Sequence, residues 1–209
     1  TDPMGRDIFS RMIFGARTAA IVAFTTTIIS LILGIIIGTI AGFSGGKIDS
    51  ILMWFTDVTM SVPGLLLAIL INASIKPPIS NFFDSLYQTT KNPFFLNTYL
   101  IDFVIVFGAI ALISWPGYAR IIRGQILSLR QQVFVEAAVS MGSGFWHMMR
   151  KHLVPNAIGP IVVTVTQGIG AAILLESSLS FLGVGVQPPN ASWGSMLSDS
   201  LSLWRSFPH

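Results

Sequence analysis

Two acidic side chains stand where charge is hardest to keep. Asp57 and Glu176 each lie inside a long apolar stretch of this 209-residue chain. An acid at the centre of a bilayer costs about 2.5–3.5 kcal/mol on insertion scales, so it faces a protein interior or a watery cavity. A proton or ion relay through the two acids is one chemistry they could support. Lining a pathway, or hydrogen bonding to a neighbouring helix, is the other. Asp57 follows Ile48 by nine residues and Glu176 is followed by "SSLS", so both also fit sites near a membrane interface. His147, His152 and His209 are too scattered for a metal cluster, and with no cysteine there is neither a disulfide nor a thiolate site. No metal is assigned. A phosphate loop needs Gly, four residues, then Gly-Lys-Ser/Thr. The only lysine after a glycine is Lys47, and Ile48 follows it. His-Glu-x-x-His does not occur, and the one Gly-x-Ser-x-Gly match, Gly42–Gly46, closes a charge-free apolar stretch instead of following a strand, so it is no nucleophile elbow. The residues provide no catalytic set, and the chain is read as a non-enzyme that binds no cofactor itself.

The elements that must position these residues are membrane helices. Apolar residues make up 52% of the chain and charged residues 10%, against about 25% charged in soluble domains. A span needs about 20 mostly apolar residues. Four stretches qualify: 19–43, about 49–74, 99–119 and about 157–186. The second holds Asp57 and also Pro63, where a kink is expected. "WPGY" at 115–118 should loosen the end of the third. The fourth would be about 45 Å long as one helix, so it is tilted, broken or partly outside the bilayer. In the first, Ser30, Gly34, Gly38 and Gly42 recur every four residues and give one helix face that a second backbone could approach closely.

The connections differ in kind. Residues 1–18 carry Arg6, Arg11 and Arg17 among apolar residues and read as an amphipathic helix on the membrane surface. "SGGKIDS" at 44–50 is a tight turn, and 76–98, with Pro77, Pro78 and Pro93, a surface loop. Basic residues flanking spans explain the net charge of +3 without nucleic acid. They split six and six between the two sides, so charge does not orient the chain. The first residue, Thr1, and the polar ending "WRSFPH" read as the cut ends of a fragment.

The polar connection 120–156 is the most strongly patterned. In 133–141, Val133, Phe134, Ala137, Ala138 and Met141 fall on one helical face, with Glu136 beside it. The small alanines would let a partner surface come close. Gly142 and Gly144 break that helix. A second pattern follows, with Phe145, Met148, Met149 and His152 in helical register, stopped by Val154 and Pro155. The result is a helix–turn–helix element, apolar on one side, meeting either a protein or the lipid headgroups.

At these residues a family resemblance appears. "EAAVSMG…KHLVP" resembles the EAA loop of permease subunits in binding-protein-dependent ATP-binding cassette importers. Glu136, Ala137, Ala138, Gly142 and Pro155 match the spaced pattern, while His152 and Val154 replace its usual Ile and Leu. "TDPMGRDIFSRMIFGAR", "GFSGGKID", "WPGYARIIRGQILSLR", "HLVPNAIGP" and "SLSFLGVGVQPPNASWGSML" are similar to the dipeptide/oligopeptide/nickel branch, and to the second, C-type permease of its pair. The poorest fit is 76–98.

The resemblance implies an all-α polytopic membrane bundle of the MetI-like, type I importer fold. This fragment would hold four of six spans, in the cytoplasmic membrane of a bacterium or archaeon. Residues 1–18 would be extracytoplasmic, 19–186 the transmembrane domain with a cytoplasmic loop at 120–156, and 187–209 an extracytoplasmic loop. It implies that Glu136, Ala137, Ala138, Met141, Gly142, Phe145 and Pro155 couple to a separate ATPase, which consumes the ATP and Mg. A second permease chain and an extracytoplasmic binding protein complete the set of partners, and membrane lipid surrounds it. Asp57, Pro63 and Glu176 are left to pathway or packing roles, and Gly34, Gly38 and Gly42 to packing. The competing reading is an ion-driven secondary transporter working through Asp57 and Glu176. Peptides, nickel and other small solutes share this architecture, so the residues do not name the cargo.

Overall fold

The computed structural model describes residues 1–2, 4–96 and 98–201. Among these residues every regular element is helical, in keeping with the all-α class. Four helices are long and apolar enough to cross a membrane: α1 (Ile8–Ser44), α3 (Gly64–Thr90), the Phe103–Arg130 part of α4 (Thr98–Arg130), and α8 (Ile158–Phe181). Between them lie α2 (Gly46–Ser61), α5 (Val133–Ser140), α6 (Phe145–Met148) and α7 (Val154–Asn156), and α9 (Trp193–Leu201) follows α8.

Three boundaries differ from the sequence reading. Residues 8–18 are not a separate surface helix. They are the first turns of α1, which runs unbroken for 37 residues because no proline or cap interrupts it. The second expected span is two helices, not one kinked helix. Val62 is extended (φ −91°, ψ 130°) and Pro63 stands before α3 rather than inside a span. A proline disfavours helical geometry in the residue before it, which ends α2 at Ser61. The spanning helix is then α3, and it takes in residues 76–90 of the expected surface loop. Pro77 and Pro78 lie within it. Ile79, Phe82, Phe83 and Leu86 continue the helical spacing beyond them, which outweighs the two lost donors. Asn97, in the former loop, and everything after Leu201, including Arg205, lie outside the described residues.

The chain forms two compact units. The first comprises Thr1–Thr26, Pro63–Ile110 and Gly170–His209, and the second Thr27–Val62 and Ala111–Ile169. In the first, α9 is fastened to the start of α1. Trp193 Nε1 donates to the Met12 carbonyl at 3.0 Å, and the indole fills the space over Gly15. Arg11 bonds Asp2 at 2.7 Å and reaches Asp199 at 3.4 Å. Arg6 pairs with the same two acids. Asn72 on α3 donates to the Val184 carbonyl at 2.7 Å and ties down the loop after α8.

The second unit is built on close contact between α1 and α4. A side chain at Gly34 would collide with Tyr118 Cβ, one at Gly38 would come within 2.5 Å of the Ala119 carbonyl, and one at Gly42 within 2.9 Å of Ile126 Cβ. The small residues, four apart, form the stripe that lets the two backbones approach. Around this seam Tyr118, Ile122 and Ile126 of α4 pack with Val135, Ala138, Met148, Met149, Leu153, Ala157 and Ile161. Pro116 does not loosen α4, which continues to Arg130.

Candidate coupling element

The 131–157 segment is a set of short helices folded onto the ends of its own long ones. In α5, Val135 and Ala138 are buried, three residues apart, and anchor the helix on Ile126 and its neighbours. Its end is a complete Schellman cap. The Ser143 N–H bonds the Ala138 carbonyl at 3.0 Å and the Gly142 N–H bonds Val139 at 2.9 Å. Gly142 adopts φ +81°, the left-handed conformation this motif requires of its first residue past the cap. A Cβ there would be strained although the space around it is empty.

The chain then enters α6 through Gly144 (φ −68°, ψ 157°). Phe145 sits edge-on to Phe43 at 5.3 Å. Met148, Met149 and Leu153 are buried, so the second sequence stripe faces inward. Residues Met149–Leu153 form a π turn, whose following N–H, from Val154, bonds Met149. The expected stop at Pro155 does not occur. Pro155 has no N–H and its ring crowds the carbonyl four residues back. The wider π turn just ahead accommodates it, and the helix resumes through α7 into α8 with only Ala157 as a turn between.

What α5 and α6 leave outside matters most. Val133, Met141 and Trp146 are 79%, 80% and 70% exposed. Glu136 and Ala137 are exposed with them. Behind them is a depression of about 550 Å³ lined by Phe43, Arg130, Val135, Glu136, Val139 and Ser140. The sequence reading placed Ala138 on this outward face, and the structure turns it inward. Val135, Val139, Arg130 and Trp146 were missed. α5 is apolar almost all round, so its spacing does not say which apolar residues point in.

The remaining candidates do not join this element. Glu176, on α8 in the first unit, is fully buried. Its Oε1 accepts from Ser180 Oγ at 2.7 Å and from Ser192 Oγ at 2.9 Å. Those hydroxyls in turn accept from the Val186 and Gly194 N–H groups. The acid therefore holds the 182–192 loop against the end of α8. Asp57, on α2 in the second unit, is ion-paired with Arg120, and Asp49, about two turns earlier on the same helix, takes Arg123 through two bonds of 2.5 and 2.6 Å.

The fold and this element together define a polytopic helical membrane protein with a rigid, outward-facing helix pair between two of its spans. Residues 34–206 match the family described as binding-protein-dependent transport system inner membrane component, and the chain belongs to it. It is 37% identical over 99% of its length to the dipeptide transport system permease protein DppC of Bacillus subtilis (strain 168), covering 59% of that protein. It is 38% identical over its full length to the oligopeptide transport system permease protein OppC of the same organism, covering 60%. To the glutathione transport system permease protein GsiD of Pectobacterium atrosepticum it is 35% identical, covering 61%. The chain thus spans about three fifths of the relatives it matches. It is an integral membrane protein.

Proposed function

We propose that this chain is the permease subunit of an ATP-driven, binding-protein-dependent importer, that it forms half of a translocation pathway for peptides, and that α5 and α6 receive the push of a separate ATPase. The observation that carries the reading is the build of α5. It is pinned from beneath by Val135 and Ala138, closed by the cap at Gly142, and open above at Val133, Glu136, Ala137 and Met141. A rigid body joined at one end to α4 and at the other to α8 transmits a displacement to the spans instead of absorbing it. A docked partner whose contacts differ between two states shifts the spans between them. On this reading the element is cytoplasmic and the ATP and Mg belong to the ATPase. The partner set also includes a second permease chain and an extracytoplasmic binding protein. Relatives named for dipeptide, oligopeptide and glutathione transport support a peptide cargo.

The test is the reconstituted importer in proteoliposomes. Glu136→Lys and Gly142→Val should each lower peptide uptake by about tenfold or more, a loss of about 1.4 kcal/mol of coupling per tenfold. The chain's level in the membrane should not change. Full uptake in both variants would sink the reading. The ion-driven alternative is disfavoured because the chain belongs to a binding-protein-dependent transport family and Glu176 is held by serine hydroxyls. Uptake by this chain alone, abolished by an ionophore, would restore it.

A further inference from the structure

Asp57 and Arg120 are both charged and both open, 59% and 47% exposed, on helices that also expose apolar residues close by in sequence, Trp54 and Ile121. Arg120 lies within Phe103–Arg130, one of the helices fit to cross a membrane. Lipid is a poor neighbour for such a pair, so its face meets either water or another polar surface. The neighbouring Asp49–Arg123 pair is different in build. It is bidentate and more deeply set, and with the Phe55–Trp115 stack at 6.1 Å it fixes α2 against α4. Arg120 lies between those two braces along α4, and its pair with Asp57 is not needed as a third. An exposed, single-bonded pair of this kind contributes little to stability and exchanges partners readily.

There is also room beside it. Gly117 and Gly124 stand three residues before and four after Arg120, on its own side of α4. A Cβ at either would meet nothing within 4 Å. Glycine weakens a helix interior relative to alanine, and neither position is used here for a close approach or a positive φ. The helix surface is thus open at positions one turn to either side of Arg120. A partner helix filling that space would have to take both charges out of water, whereas a hydrated path leaves them solvated.

We propose that Asp57 and Arg120 form a station on the translocation path that receives the ammonium and carboxylate ends of a zwitterionic peptide. Arg120 opens from Asp57 and takes the carboxylate, in the planar geometry guanidinium favours. Asp57 takes the ammonium. This rests on the peptide-importer reading and adds a site to it.

The experiment uses the assembled importer with cysteine-free partners, since this chain has no cysteine of its own. Gly117→Cys, beside the intact pair and with nothing within 4 Å of its Cβ, is labelled with a membrane-impermeant thiol reagent. Labelling is expected, slowed several-fold by the dipeptide Ala-Ala and not by its N-acetylated, C-amidated form. Gly124→Leu should fold and assemble, because the space is empty, yet lower Ala-Ala uptake about tenfold or more by filling the station. Absent labelling, labelling indifferent to Ala-Ala, equal protection by the blocked form, normal uptake in Gly124→Leu, or loss of assembly in that variant would each overturn the station. Failure of the unmodified importer to take up Ala-Ala strikes the peptide reading itself. Normal uptake by the unmodified importer with unprotected labelling strikes only the station.

Discussion

Glu176 shows how a carboxyl group is kept inside a membrane helix. It is placed one turn before Ser180, so that the helix itself supplies one donor, and the returning loop supplies a second at Ser192. Glu176→Ala leaves both hydroxyls without their acceptor and opens a cavity, at a cost of about 2–4 kcal/mol. Glu176→Gln keeps an acceptor oxygen and should lose less than half of that. Unfolding of the purified chain in detergent, followed by near-UV circular dichroism, separates the two. Equal losses would mean that the charge, not the hydrogen bonding, holds the loop. Gly38 makes the opposite case, of a side chain that must not exist. Gly38→Leu would drive α1 from α4 and should cost about 1–3 kcal/mol or more by overpacking. Gly170→Ala, where a Cβ meets nothing within 4 Å, should be neutral or slightly stabilising. The same unfolding measurement compares them.

At the scale of elements, the clamp that Asp2 forms with Arg6 and with Arg11 at the start of α1 carries a pH dependence. Burial works against the Asp2 carboxylate. Hydrogen bonds from the Arg6 backbone and side chain, with the Arg6 charge and the Met4 N–H, overcome it and hold the acid down from its ordinary 3.8 to about 2. A lowered folded value means the contribution is complete above the unfolded value and is lost as pH falls toward the folded one. The clamp should therefore stand above about pH 4 and release between about pH 4 and 2. Amide exchange at Met4 and Arg6, whose N–H groups bond Asp2, should rise across that window in the native chain and change little in Asp2→Asn. The reach of sequence reading also divides by element. α1, α4 and α8 were legible because their apolar runs exceed any soluble alternative. The glycine stripe on α1 was legible because its four-residue period is local. The break at Pro63 was read as a kink because sequence does not tell a bent helix from an ended one. α3 was cut short by weighting Pro77 and Pro78 above the apolar spacing after them. The inward face of α5 was not legible, since "VFVEAAV" is apolar on nearly every side. Only contact with Ile126 and Met148 selects Val135 and Ala138. Nor was the pairing of Asp57 with Arg120, which joins residues 63 apart in the chain.

For the whole molecule, two kinds of exposed apolar surface need separate explanations. Residues such as Phe24, Ile28, Ile32 and Ile36 are exposed along α1, a helix fit to span a membrane, and lipid accounts for them. Val133 and Trp146 lie instead on short helices and Met141 caps one of them, in a segment that also exposes Glu136 and the cationic Arg150 and Lys151 and has no spanning length. A bilayer interior would reject those charges, and water gains nothing from the apolar residues, so a protein surface fits this mixture best. On the proposed reading that surface is the ATPase, and the exposed methionine and tryptophan are its anchors. Met141→Asp should then weaken binding of the ATPase subunit to the permease in nanodiscs by about tenfold or more, that is, by at least about 1.4 kcal/mol. The buried Met148 is no fair comparison, since its loss would unseat α6 itself. Phe24→Ala, on the exposed face of α1, is the proper control and should leave that affinity unchanged. Both variants should remain with the membrane through an alkaline wash, because the four spans and not α5 hold the chain there. If Met141→Asp binds the ATPase as tightly as the native chain does, the exposed face of α5 and α6 is not the docking surface.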